Sequence, residues 1–105
     1  MQVEGDRALL GEMVAVFLAE WPQPLTVLRD AITAADTTEL TRAAHTLNGA
    51  LGSLGAVAAT EAVQRLEVLS HNGALAEARA ALAVFEEEMA RLLPALTTLA
   101  PGHDA

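Results

Sequence analysis

Lysine, cysteine and tyrosine are absent from this chain, and Phe17, Trp21 and Phe85 are its only aromatic residues. Without cysteine there is no disulfide framework and no thiolate chemistry. With 3% aromatic but 52% hydrophobic residues, the core has to be built from leucine, alanine and valine, a composition that suits helices rather than sheets. Six arginines face fourteen acidic residues, for a net charge of -8. That balance repels phosphate backbones and anionic lipid, and so argues against nucleic acid and membrane as partners. No apolar run approaches the ~18 to 20 residues of a membrane span, and the N-terminus lacks the basic region of a signal peptide. A cytoplasmic location is the expectation. The 105 residues suffice for one core, so a single domain is expected over 1–105, with its core at about 7–97 and a flexible tail at about 98–105.

The apolar spacing is helical throughout. Leu9, Leu10, Met13, Phe17 and Leu18 mark a first helix that ends near Trp21. Pro22 and Pro24 suit the first turn of a second, whose apolar positions are Leu25, Leu28, Ala31, Ile32 and Ala35. Thr37 is the favoured cap of a third helix carrying Leu40, Ala43, Leu47, Ala50 and Leu54. A fourth follows Gly55 through Ala58, Ala62, Leu66 and Leu69, and Asn72-Gly73 is expected to supply its left-handed cap. The fifth carries Leu75, Ala78, Leu82, Phe85, Met89, Leu92 and Leu96, with Pro94 expected to kink or loosen its last turn. Short links between helices of similar length predict an all-α, antiparallel up-down four-helix bundle with an additional N-terminal helix packed across one end.

His45 opens the run His45-Thr46-Leu47-Asn48-Gly49-Ala50-Leu51-Gly52-Ser53-Leu54-Gly55-Ala56. On a helix, Gly49 and Gly52 fall within about 40° of His45, whereas Leu40, Leu47 and Leu54 lie roughly 180–220° away. The ring is therefore expected to face away from the core, on a surface stripped of side chains. Each helical glycine costs roughly 0.5–1 kcal/mol relative to alanine, which suggests that another molecule must approach the backbone there. An idle surface histidine is the plain alternative, but it gives no reason for the glycines. Neutral imidazole is a nucleophile at physiological pH provided that one ring nitrogen holds the proton. The chain has no Gly-rich phosphate loop and no spacing of histidines suited to a metal, so any electrophile has to arrive on another protein.

Ala44-His45-Thr46-Leu47-Asn48-Gly49, with Gly55-Ala56 ten residues beyond the histidine, resembles the histidine-containing phosphotransfer (HPt) domains of bacterial phosphorelays. Their signature reads approximately His-x-Leu-Lys-Gly followed by Gly-Ala. The likeness extends over the helical layout from about Leu9 to Leu96. It implies a phosphocarrier, rather than a multiple-turnover enzyme, whose histidine takes a phosphoryl group on Nε2 from a receiver-domain aspartate and passes it to another receiver. The implied partners are response-regulator receivers and a hybrid sensor histidine kinase. The domain itself would be a monomer without a cofactor, magnesium being bound by the receiver. His45 matches the phosphoacceptor and Gly49 the small residue that admits the receiver, with Gly52 extending the same shelf.

Glu67 matches a position where some members place a group that bonds the other ring nitrogen; a solvated helix glutamate is its alternative reading. Gln64, one turn earlier, is placed to line the same rim, and Leu51 to add to an apolar docking patch. Asn48 stands where the family usually has lysine, and an amide donates a hydrogen bond without adding charge. Arg42 is placed to compensate from the other side, or to pair with Glu39. If neither group compensates, the alternative is a docking module of the same fold that is not phosphorylated.

Overall fold

A computed structural model describes the backbone of residues 3–100 and the side chains of residues 8–100. Five helices are present and, among the described residues, no strand: α1 (Val3–Glu20), α2 (Gln23–Thr33), α3 (Thr37–Ser53), α4 (Val57–His71) and α5 (Leu75–Leu99). α5 runs unbroken past Pro94 to Leu99, so the expected tail does not begin at residue 98. The rest of that tail, 101–105 with His103, lies outside the described residues.

Three links repeat one device. After α2, α3 and α4 a single residue turns left-handed: Ala35 at φ 56°, Gly55 at 74° and Gly73 at 74°. In each case its amide reaches back three residues and the following amide reaches back five, as in Asp36 N–H to Ala31 C=O (2.9 Å), Ala56 to Leu51 (3.1 Å) and Ala74 to Leu69 (2.9 Å). These Schellman turns satisfy the last helical carbonyls and reverse the chain within three residues. Glycine serves two of them. Ala35 holds the conformation with a side chain attached, and it lies exposed in the turn rather than on the apolar stripe of α2 where its spacing placed it. Asn72, expected to share the left-handed cap of α4, is right-handed at φ -83° and leaves that task to Gly73.

Asp36, not Thr37, caps α3: its Oδ1 accepts from the Glu39 amide at 3.0 Å. Because Asp36 already ends the preceding turn, the helix starts at Thr37, one residue earlier than Thr37 as cap would require.

The core is mainly aliphatic, and Phe85, Val14, Leu28, Leu40, Leu51, Val63, Leu66 and Met89 are all essentially inaccessible within it. Trp21 stacks on Phe17 (5.7 Å) and meets Phe85 edge-on (6.4 Å), pinning the end of α1 to α5. Arg29 of α2 grips Glu86 of α5 through two hydrogen bonds of 3.1 and 3.0 Å. α2 is short and leaves the far half of α3 uncovered; α1 occupies that end of the bundle, bordering Ala50, Ser53 and Leu54.

That arrangement rotates the buried arc of α3. The buried residues are Leu40, Ala43, Ala44, Leu47 and Leu51, an arc centred roughly 35° from the one the leucine spacing predicts. Ala44 is wholly buried, while Ala50 is exposed and Leu54 half-buried. α4 runs antiparallel along the whole of α3 and draws the arc toward itself. In α4 the same effect makes Ala59, Val63, Leu66 and Ser70 the inner stripe, with Ala58 outside.

Candidate functional site

His45 sits midway along α3, nearly opposite the centre of the buried arc, and its side chain is 74% exposed. Across the antiparallel pair, Val63, Leu66 and Ser70 bury one face of α4 and place Glu67 at its edge, facing the histidine. The Ser70 hydroxyl donates to the Leu66 carbonyl and so leaves no unsatisfied group in that face. The His45 Nδ1 lies 2.9 Å from Glu67 Oε2. An ionised carboxylate only accepts hydrogen bonds, so Nδ1 is the donor, and in the neutral ring the lone pair is left on Nε2. Glu67 is therefore engaged with the ring rather than merely solvated. This flank of His45 is a polar recess, completed by Thr37, Thr38, Thr41, Arg42, Ser70 and His71.

The shelf beyond the ring is bare. A Cβ placed on Gly49 or Gly52 meets no atom within 4 Å, so nothing within the fold requires glycine at either position. Gln64 is exposed, three residues before Glu67 on the same helix. Asn48 is half-buried and makes no side-chain hydrogen bond among the described residues. Arg42 donates from Nε to Glu39 Oε1 at 3.0 Å, which holds the Glu39 carboxyl below the ordinary carboxylate range and the guanidinium above its own. Its charge is thus committed to Glu39 rather than to the ring. Leu51 is fully buried. The expected contribution of Leu51 to a surface patch is corrected: the rotation of the arc toward α4 carries this residue into the core.

The other flank of His45 was not read from the sequence. An apolar groove runs between α3 and the α1–α2 corner, with Phe17, Pro24, Val27, Ala43, Leu47 and Ala50 along it. A second depression, between α1 and the end of α3, shares Phe17, Glu20 and Ala50 with the first and continues it past Met13, Val16 and Leu54. One signal for it exists in the chain. α1 has more large apolar residues than one face can bury, leaving Leu9 56% and Val16 60% exposed.

Among the described residues no group of three or more His, Asp or Glu is placed to hold a metal ion, and no helix is long and apolar enough to cross a membrane. The family model for the Hpt domain matches residues 12–100. No curated protein and no solved structure matches the chain.

Proposed function

The chain belongs to the Hpt domain family, whose members serve phosphotransfer in two-component signalling, and from that premise we propose that His45 is a phosphoacceptor loaded and unloaded by receiver domains. The observation that carries this reading is the His45–Glu67 pair, 2.9 Å apart on a ring that is otherwise solvent-facing. The Nε2 lone pair attacks the phosphorus of a receiver's aspartyl phosphate. The bond from phosphorus to the aspartate oxygen breaks, and its electron pair leaves with the aspartate as a carboxylate. The ring, now bonded to phosphorus at Nε2 and still protonated at Nδ1, carries positive charge that the Glu67 carboxylate offsets. Attack by a second receiver's aspartate runs the same step in reverse. Magnesium belongs to the receiver's aspartate pocket and is not asked of this chain. The glycine shelf lets the receiver bring its phosphoryl group up to the helix backbone.

Incubation with phosphorylated receivers is expected to give acid-labile, alkali-stable label. His45→Gln is expected to abolish it with the helical circular dichroism unchanged; label persisting in that variant overturns the assignment. Asn48 favours one second reading, a docking module that binds receivers without being phosphorylated, because it brings no charge to the shelf and Arg42, the cation lining the His45 recess, is paired with Glu39. Receiver binding without label in the unsubstituted protein is the result that selects it.

A further inference from the structure

The groove beside His45 has an apolar floor and an acidic rim. Glu12 and Glu20 border it from α1, both exposed and in no ion pair among the described residues. They are two turns apart, or about 12 Å along the helix. On the opposite rim, the charge of Arg42 is taken up by Glu39. The groove thus presents uncompensated negative charge around an apolar strip that includes Val16, 60% exposed. A trough between two helices accepts the ridge of a third, and an exposed apolar strip of this kind marks an interaction surface. It is continuous with the phosphotransfer site, since Arg42 lines both the groove and the His45 recess.

We propose that Glu12 and Glu20 make this groove selective for receiver domains that dock a helix carrying arginine or lysine beside its apolar residues. The inference rests on the phosphorelay reading and adds to it a criterion for the partner. In a chain of net charge -8, a receiver with an acidic docking helix is repelled at this rim, whereas a basic flank is drawn to it. Rim charges of this kind act on association rate and on salt dependence more than on the packed centre of an interface.

The test is binding of purified receiver domains, ranked by the charge of their docking surface, at low and high salt. Receivers with basic surfaces are expected to bind the unsubstituted protein best, and Glu12→Gln/Glu20→Gln to weaken them about three- to tenfold at low salt, with the difference vanishing near 1 M salt. Glu12→Arg/Glu20→Arg is expected to turn the preference toward acidic receivers. Equal affinity and equal salt slope for the glutamine variant overturn the proposal, as does binding that is indifferent to receiver charge or absent altogether. Label transferred to His45 from phosphoramidate, a donor too small to need the groove, separates the two ideas. Label from that donor in a protein whose rim proves neutral leaves His45 as acceptor and removes only the selectivity.

Discussion

The two flanks of His45 differ in kind. Toward α4 the surface is polar and specific, with one carboxylate fixing one ring nitrogen at 2.9 Å. Toward α1 and α2 it is an apolar trough that touches the ring nowhere but runs on for the length of the corner. A transferred phosphoryl group has to meet a ring in one tautomer, whereas a partner has to be held long enough to deliver it. On the proposed function these needs fall to the two flanks of His45, with the glycines between them. Chemistry and recognition are therefore separable by substitution, which is a stronger statement than that both are present.

The largest expected effect is that of His45→Gln: complete loss of label with unchanged receiver affinity, as read by transfer assay and calorimetry. Next, Glu67→Gln is expected to slow transfer about 10- to 100-fold, the range for carboxylates that orient ligating histidines, again with affinity intact. A loss of affinity in this variant would erase the distinction between the flanks. Gly49→Leu tests the shelf between them. Because a Cβ there meets nothing within 4 Å, folding is expected to be undisturbed, while transfer from a receiver is expected to fall about tenfold or more through misplacement of the reacting groups. Gly49→Ala is expected to raise unfolding free energy by about 0.5–1 kcal/mol in chemical denaturation, showing that the glycine is kept at the expense of the helix. The smallest effect belongs to Asn48→Lys. An exposed charge pair is worth about 0.2–1 kcal/mol, so the yield of phosphohistidine is expected to rise about 1.5- to 5-fold. No change there places the phosphoryl group out of reach of residue 48.

Helix number, order and the outward ring were legible in the chain because leucines spaced by three and four mark faces whatever they pack against. The Gly55 and Gly73 turns were legible because only glycine adopts φ near 74° without penalty. Ala35 was not, since nothing in an alanine announces a left-handed turn. Of the candidate site, the exposed placement of His45 and its glycines and the approach of Glu67 to the ring were legible. The exact phase of α3 was not, because spacing locates a stripe but not the neighbours that cover it. The unequal lengths of α2 and α4 turned Leu51 and Ala44 inward and left Ala50 out. The groove follows from that same inequality, so its course exists only at the level of packing, and its one trace in the chain is the surplus of apolar residues in α1.

The most direct test of the account is nitrogen-15 and phosphorus-31 NMR of the His45 ring after transfer from a phosphorylated receiver. Phosphorus bonded to Nε2, with a proton retained on Nδ1, is the result expected from the bond to Glu67. Phosphorus on Nδ1, or on any other residue while His45 stays unmodified, contradicts it.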